Sequence, residues 1–470
     1  MKPYAASRRL PSVRLALAAA LLLAPLAAAS DGPGPMETGT DGIAFAEDDP
    51  AVLAAIEAVR ADVSGERIHD CVRALTSEGA TRYRVMGTPT HDQFVAAHKD
   101  VFGALGLLTA LHEFDEGAAG VGPARSPDKG GTNIVGVLPG RDLARWVVVG
   151  GHYDTREFTL GGGALDNASG ICTVEELARA TKAYVDAHGP LEATLVFLWY
   201  DGEEWGLHGA VAFANDDSAV RGLLGLAADA PVDVLVSQSY DMPGLNYPAK
   251  NTWARYGDPA TTDEYAVLNL RAAPIEVDDE WRCWSYGCYE ELKERDDFAR
   301  VLDRNTRYHH LLREIAYDVL ALPPEHVWVY DDEYGRSDHI PLIAKGAAGN
   351  RIQGSHDEEY PHYHQPTDTL DAIYLLAGSK ENLIAAYATE AQAGGLAAFY
   401  VALTGGHGPY GPSGAMATDA AGATGDSAST SVPGIGALAT LAGLAAAGSF
   451  GPRRIKRASR RVRACSLPPR

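Results

Sequence analysis

Residues 145–154 read RWVVVGGHYD, a run of apolar residues that ends in a histidine and an aspartate. Uninterrupted runs of this kind are typical of strands buried on both faces. Residues 170–188 have the apolar spacing of a helix. Three further apolar runs are TNIVGVLPG at 132–140, EATLVFLWYDGEE at 192–204 and VDVLVSQSYDM at 232–242. Strands that alternate with helices predict an α/β fold, here a three-layer α/β/α domain with a mostly parallel, mixed central sheet.

Helical patterns precede the first strand. Residues 49–76 have helical apolar spacing with an interruption at Ser64-Gly65, so we expect two helices there. Residues 90–107 repeat that spacing. The region upstream of the sheet is therefore predicted to be helical.

The first 29 residues predict a secretory signal peptide. Basic residues come first, an apolar run starts at Leu15, and Ala27-Ala28-Ala29 provides the small residues of a cleavage site. A buried or membrane-spanning first helix is the alternative, but the apolar run is short for it. Residues 30–50 are then an acidic linker or propeptide, followed by a globular body at 51–405.

The C-terminal region predicts attachment to a surface. Residues 406–431 form a low-complexity linker of small residues. Residues 432–470 contain an uncharged apolar segment and then a basic tail, which the positive-inside rule places in the cytoplasm. We expect a membrane anchor or sorting signal, and hence a secreted or cell-surface, extracytoplasmic protein. The alternative is a flexible tail on a secreted enzyme.

The charge balance argues against nucleic acid as a partner. The chain has 40 Lys and Arg against 62 Asp and Glu, a formal net charge of −22. Twelve of the 40 basic residues lie in residues 1–30 and 451–470, which contain no acidic residue, so the body is more acidic still. Such a body repels phosphate backbones and anionic surfaces.

The five cysteines are too few for a disulfide framework. Cys283 and Cys288 are close enough in sequence to close a loop in an oxidising compartment, and that pairing stays open. Cys71 and Cys172 are expected to be separate buried thiols, and Cys465 lies in the tail. No arrangement of these cysteines matches a thiolate zinc site.

Side chains able to bind a metal follow several of the predicted strands. Ligand-binding groups in such sheets cluster beyond the carboxyl ends of the strands, so we expect these side chains to share one site. Carboxylates and imidazoles without thiolates suit a catalytic zinc, and one bridging carboxylate permits two ions about 3.5 to 4 Å apart. The candidates are His152, Asp154, Asp166, Glu203, Glu204, Asp241 and His364.

Individual candidates have ordinary alternatives. Asp166 lies in GGGALDNASG, which also suits a glycine-rich turn followed by a helix N-cap. Glu203 and Glu204 also suit an exposed acidic pair. At the end of a strand, however, neighbouring side chains point in different directions, so one can bind a metal while the other reaches the water that the metal holds.

Six motifs together carry a resemblance to a known family. In order they are GGHYDT, GALDNASG, DGEEWGLHGA, SYDMPG, YGRSDHIPL and YHQPTDTLD. Their order and approximate spacing resemble the two-zinc exopeptidase family, which contains secreted leucyl-type aminopeptidases, glutamate carboxypeptidases and glutaminyl cyclases. The resemblance covers roughly residues 52–405. It implies the zinc-exopeptidase (phosphorylase/hydrolase-like) form of the predicted fold.

The resemblance also implies the metal ligands. In the family pattern His152, Asp166 and Asp241 would bind one zinc ion. Asp166, Glu204 and His364 would bind the other. Asp166 is then the bridge between the two ions.

Further roles follow from the same resemblance. Glu203 would be the general base, and Asp154 would orient His152. Tyr334 stands where some family aminopeptidases place a tyrosine that supports the oxyanion. His364 is preferred as a ligand over His356 and His362, because only YHQPTDT matches the motif. His339 and His309-His310 are expected to be structural.

The function implied is that of an exported zinc-dependent aminopeptidase acting on peptides with a free N-terminus. The attacking group would be a hydroxide that bridges the two metals. Two enzymes with the same fold remain alternatives: a glutaminyl-peptide cyclase, which uses one zinc, and a glutamate-type carboxypeptidase, for which the motifs show no arginine cluster. A catalytically inactive surface binding module is the alternative from another class.

Overall fold

The computed structural model describes residues 49–77, 82–115, 130–156, 159, 162–245, 268–272, 296–323, 327–331, 337–354 and 360–407. The predicted signal peptide, most of both linkers and the C-terminal tail lie outside these ranges. So do Cys283, Cys288 and Tyr334. None of the helices within these ranges is long and apolar enough to cross a membrane.

An eight-stranded mixed sheet forms the centre of the protein, with strand order β1-β2-β4-β3-β5-β8-β6-β7. The β3/β4, β3/β5, β5/β8 and β6/β7 pairs are parallel, and the other three are antiparallel. The strands are β1 Leu108–Phe114, β2 Gly131–Leu138, β3 Asp142–His152, β4 Ala193–Tyr200, β5 Asp233–Tyr240, β6 Leu268–Ala272, β7 Val327–Asp331 and β8 Ala348–Ile352. The prediction of a mostly parallel, mixed sheet is confirmed.

Helices cover both faces of the sheet. They are α1 Pro50–Asp62, α2 Gly65–Thr76, α3 Pro89–His98, α4 Val101–Ala104, α5 Ser169–His188, α6 His208–Asn215, α7 Ser218–Leu224, α8 Phe298–Glu314, α9 Ile340–Ala344, α10 Leu370–Ala377 and α11 Lys380–Thr404. A turn at Ala164–Ala168, in which Asp166 and Asn167 are not helical, precedes α5, and a single π-helical turn, Ile315–Val319, follows α8.

Strand β3 shows the three layers most directly. Val147 and Val149 pack into the cluster formed with α1, α2, α5 and α11. The alternate residues of the strand, Trp146 and Val148, pack into a second cluster with α6, α7 and α9. Because successive side chains of a strand point to opposite faces, both faces of β3 are buried, as its uninterrupted apolar run predicts.

Some of the strands and helices were predicted from the sequence, and four strands were missed. Strands β2 to β5 occupy the four predicted runs, and the interrupted helical stretch is α1 and α2. Ser64 caps α2 by accepting the backbone N–H of Arg67 at 3.3 Å. Strands β1 and β6 to β8 were not predicted. In β8 the reason is visible, since its five residues include Asn350 and Arg351, which are buried polar side chains.

The parallel pairing around β3 brings the polar strand ends together. His152 is the last residue of β3, Glu203 follows β4 and Asp241 follows β5 directly. Since β4 and β5 both run parallel to β3, these three residues lie at one edge of the sheet. The turn with Asp166 leads into α5 at the same edge. Gly163 has φ 57° in this turn, and a Cβ there would lie 2.3 Å from the carbonyl oxygen of Asp166.

The prediction for two of the cysteines was wrong. Cys71 and Cys172 form a disulfide bond that joins α2 to α5 across a sequence separation of 101 residues. Each thiol appears isolated in the sequence because the pairing depends on how the two helices pack, which local patterns do not report.

Candidate metal centre

The five predicted metal ligands lie together in two groups of three. One group is His152, Asp166 and Asp241, and the other is Asp166, Glu204 and His364. Within each group the potential ligand atoms lie within 4.8 Å of one another. Asp166 belongs to both groups, which is the arrangement required of a bridging carboxylate.

The interatomic distances show how Asp166 divides its two oxygens. His152 Nε2 lies 3.3 Å from Asp166 Oδ1 and 3.5 Å from Asp241 Oδ1. His364 Nε2 lies 3.4 Å from Asp166 Oδ2 and 3.0 Å from Glu204 Oε2. One oxygen of Asp166 therefore faces each imidazole.

The donor set and its burial fit a pair of zinc-like ions. All donors are carboxylate oxygens or imidazole nitrogens, which bind zinc and leave room for an exchangeable water. Among the described residues, the buried Glu204 Oε1 has no hydrogen-bond partner. Buried polar atoms without partners are costly, and cations bound between these groups would remove that cost.

The pKa shifts of the candidate ligands also indicate that positive charge stabilises this group of carboxylates. Burial raises the pKa of Glu204, and the carboxylate of Asp166 adds to the rise. Burial also opposes ionisation of Asp166, but contacts with His152 and His364 outweigh it and lower the pKa of Asp166. In turn, Asp166 and Glu204 raise the pKa of His364 to about 10 against the effect of its burial. Without metal, protons on the imidazoles balance the carboxylates.

Glu203 lies beside the first group. Its Oε2 is 4.0 Å from His152 Nε2, and its side chain keeps 13% of its surface exposed. Burial raises the pKa of Glu203 well above its ordinary value, and the carboxylates of Asp241 and Asp338 add to the rise while His152 opposes it. Glu203 is therefore a proton-binding carboxyl group next to a metal site.

Asp154 contacts both the metal ligands and the predicted base. His152 Nδ1 lies 3.2 Å from the backbone oxygen of Asp154 and 3.4 Å from its carboxylate, so its Nε2 is left for a metal. The carboxylate also accepts the backbone N–H of Glu203 at 3.1 Å and that of Glu204 at 3.3 Å. Asp154 thus holds the turn after β4 against the end of β3, a contact that the sequence analysis did not foresee.

Asn167 connects two of the ligand-bearing segments. Its Oδ1 accepts the backbone N–H of Gly170 at 2.9 Å and that of Met242 at 3.1 Å, and its Nδ2 donates to the oxygen of Tyr240 at 2.8 Å. This side chain fixes the segment around Asp241 against the turn that carries Asp166.

Asp368 was missed as a functional residue. Its carboxylate accepts the backbone N–H groups of Leu165 at 3.0 Å and Asp166 at 3.1 Å, and the hydroxyl of Tyr360 at 2.8 Å. Burial raises its pKa to about 7. Its position in the motif YHQPTDTLD, four residues after His364, is the signal that would have identified it.

Two arginines also contact the candidate ligands and were not predicted. Arg351 Nη1 donates to Asp241 Oδ2 at 3.3 Å, and its side chain is only 1% exposed. Arg156 Nε lies 3.0 Å from Glu204 Oε2. Both arginines pair with a carboxylate that also belongs to a donor group.

Of the other histidines considered in the sequence, His362, His309, His310 and His339 are described, and none of them belongs to a donor group. His362 Nδ1 lies 2.7 Å from the hydroxyl of Thr367. His309 Nε2 lies 3.3 Å from the carbonyl oxygen of Gly349, and burial lowers the pKa of His309 to about 3. His339 is fully buried at the start of α9, and His356 lies outside the described residues.

Comparison with known sequences finds a family match over the part of the chain that contains most of the candidate metal ligands. Residues 133–260 match the model of peptidase family M28. This segment contains His152, Asp166, Glu204 and Asp241, and His364 lies beyond it. The match therefore includes four of the five residues that form the two donor groups.

Individual relatives match half of the chain or less. A protein of Pyrenophora tritici-repentis (strain Pt-1C-BFP) named "Probable zinc metalloprotease" is 30% identical over 242 residues, 50% of this chain and 48% of that protein. "Leucine aminopeptidase 1" of Arthroderma otae is 40% identical over 102 residues, 20% of this chain and 27% of that protein. The chain spans about half the length of the first of these relatives.

A solved structure shares the fold. LapA from Legionella pneumophila is 16% identical, and the match covers 74% of this chain and 76% of LapA with a TM-score of 0.50. The similarity at this level concerns the arrangement of the helices and the sheet. The chain is thus similar to peptidase family M28 over residues 133–260, and it shares its fold with LapA.

Proposed function

We propose that the chain is an exported zinc-dependent aminopeptidase that releases N-terminal residues from peptides with two zinc ions. The observation that carries the proposal is the pair of donor groups joined by Asp166, with Glu203 Oε2 4.0 Å from His152 Nε2. The names of the two relatives, a zinc metalloprotease and a leucine aminopeptidase, agree with it.

The metal-binding residues are assigned by donor group. His152, Asp166 and Asp241 would hold the first zinc, and Asp166, Glu204 and His364 would hold the second. Bound there, the two ions would supply Lewis acidity and lower the pKa of an attacking water toward neutrality.

Glu203 moves the proton. It takes the proton from the attacking water and returns it to the leaving amine as the peptide bond breaks. A carboxyl group that is buried among other carboxylates binds a proton readily, which suits this double task. The carboxylate of Asp154 accepts the backbone N–H of Glu203 and also contacts His152. One side chain therefore positions both the base and a metal ligand.

Acidic groups beside the first donor group select the substrate's N-terminus. Among these groups Glu203 is accessible, since its side chain keeps 13% of its surface exposed, whereas Asp338 is fully buried. A protonated α-amine would be attracted to this side of the centre, whereas an acetylated one loses that charge. This requirement for a free amine makes the proposed enzyme an aminopeptidase.

The disulfide supports the export of the protein. Disulfides persist in oxidising compartments and are rare in reducing ones. A bond between Cys71 and Cys172 therefore agrees with a secreted or cell-surface location. Export depends on the N-terminal 29 residues, and surface attachment on the segment 432–470.

A substrate panel with the zinc-loaded full chain tests this function. We expect hydrolysis of leucine anilide and of leucyl peptides, no hydrolysis of their N-acetylated forms, and loss of turnover with a chelator that zinc reverses. Elemental analysis should give about two zinc ions per chain. Equal rates on acetylated substrates would contradict the aminopeptidase. Cyclisation of N-terminal glutaminyl peptides with about one zinc per chain would identify a cyclase instead.

A further inference from the structure

One charged side chain at the second donor group has no part in the proposed chemistry. Arg156 follows the motif GGHYDT directly, and its Nε lies 3.0 Å from Glu204 Oε2. The Arg156 side chain is 35% exposed, whereas that of Glu204 is 3% exposed. Arg156 therefore reaches from a buried donor group to the solvent.

Two aromatic residues stand beside Arg156. Its guanidinium carbon lies 5.6 Å from the ring centroid of Trp205. Tyr363 stacks on His364 with ring centroids 3.7 Å apart, and it is close enough to Arg156 to interact with its charge. Trp205 and Tyr363 are partly exposed as well. We call these three residues, Arg156, Trp205 and Tyr363, the rim of the second donor group.

Arg156 is more exposed than the other two arginines near the donor groups, Arg351 and Arg84. Arg351 is buried and hydrogen-bonded to Asp241. Arg84 is buried and donates to the backbone oxygens of Tyr153, Gly162 and Gly163. Of these three arginines, Arg156 is the one that an incoming molecule can reach.

Metal binding would weaken the ion pair that Arg156 forms with Glu204. In the part of the chain that the structure describes, Glu204 is the carboxylate with which Arg156 forms an ion pair. The oxygen involved, Oε2, is also the one nearest to His364 Nε2, at 3.0 Å. A cation held by Glu204 and His364 would take up the charge of that carboxylate, so the guanidinium would attract another anion.

We propose that Arg156 binds a carboxylate group of the substrate next to the scissile bond, and that the preferred substrates are dipeptides with a free C-terminus. This proposal rests on the proposed aminopeptidase function. In a dipeptide the carboxylate belongs to the residue that follows the scissile bond, and consecutive Cα atoms are about 3.8 Å apart. Arg156 contacts Glu204, a member of the second donor group. It therefore lies close enough to bind a carboxylate on the residue that follows the scissile bond. The planar guanidinium also fits a carboxylate with two parallel hydrogen bonds.

The kinetic test compares substrates that differ only in the carboxylate. The zinc-loaded full chain is assayed with leucyl-glycine, leucyl-glycinamide and leucyl-aspartic acid α-amide. We expect kcat/KM to be roughly ten- to a hundredfold higher for leucyl-glycine than for leucyl-glycinamide, the range for a hydrogen bond to a charged group. Arg156→Gln should bring that ratio near one, and Arg156→Lys should keep part of it. Because the ratio compares two substrates on one protein, changes in zinc content cancel.

The third substrate and a matched control complete the kinetic test. If leucyl-aspartic acid α-amide shares the preference, the rim binds a carboxylate from either a C-terminus or a side chain, and the restriction to dipeptides is wrong. Arg60→Gln, on an exposed arginine of α1 that pairs with Glu57, should keep the wild-type ratio. An acid-to-amide ratio near one in the wild type, or one unchanged in Arg156→Gln, overturns the assignment of Arg156.

A binding measurement separates this inference from the proposed function. Calorimetry on zinc-loaded Glu203→Gln should show tighter binding of leucyl-glycine than of leucyl-glycinamide, and the double variant with Arg156→Gln should lose the difference. If that result appears while the wild type hydrolyses neither dipeptide, the carboxylate site stands and the aminopeptidase is wrong. If both dipeptides are hydrolysed but binding shows no dependence on Arg156, the carboxylate site is wrong and the aminopeptidase stands.

Discussion

The carboxylate of Asp154 accepts the backbone N–H of Glu203 at 3.1 Å. Its second oxygen accepts the N–H of Glu204 at 3.3 Å, and the same residue contacts His152 Nδ1. The end of β3 and the turn after β4 are thus held together by one buried carboxylate. Two candidate metal ligands and the proposed base depend on its geometry.

Replacing Asp154 should disturb metal binding and turnover together. Asp154→Asn keeps the size of the side chain but turns an amide NH2 toward one of the two backbone donors. We expect zinc affinity or kcat to fall about 10- to 100-fold, the usual effect of removing a group that orients a metal ligand. Competition with a chelator measures the affinity. The exposed Asp70→Asn should change neither quantity, and wild-type values for Asp154→Asn would show that the contact is dispensable.

Glu203→Gln should separate metal binding from catalysis. The amide cannot take a proton from water, so kcat should fall about 10²- to 10⁴-fold, the contribution of general-base catalysis. Zinc content should stay at the wild-type level, because Glu203 belongs to neither donor group. Glu57→Gln, on an exposed face of α1, is the control. Turnover near that of the wild type would remove Glu203 from the role of base.

Zinc binding should release protons. Asp166 and Glu204 raise the pKa of His364 to about 10 in the metal-free protein, so this imidazole is protonated at neutral pH. A metal needs the neutral imidazole, hence zinc affinity should rise with pH up to that value, about tenfold per pH unit for each proton released. Calorimetry in two buffers of different ionisation enthalpy counts the protons. A heat of binding that is independent of the buffer would contradict the expectation.

Loss of the disulfide should destabilise the body. Cys71 and Cys172 close a loop of about 100 residues, for which the chain-entropy model gives about 4 to 5 kcal/mol at 25 °C. The double variant Cys71→Ser with Cys172→Ser should unfold at lower urea concentration than the wild type. A reductant should shift the wild type toward the variant and leave the variant unchanged. If the reductant has no effect on either protein, the bond does not form in solution.

Patterns close together in sequence were sufficient for the centre of the fold and for the choice of candidate ligands. The apolar runs predicted β2 to β5 because a buried strand needs consecutive apolar residues. The motifs around His152, Asp166 and His364 carry side chains whose chemistry suits a metal wherever they lie.

Contacts between distant segments were decided by the tertiary structure alone. The disulfide between Cys71 and Cys172, the ion pair of Arg156 with Glu204 and the hydrogen bonds from the 165–166 backbone to Asp368 each join residues far apart in sequence. Apolar periodicity reports how one segment is buried and contains no information about which segment lies opposite. The polar strand β8 escaped prediction for a related reason, since the buried Arg351 donates to Asp241, which follows a different strand.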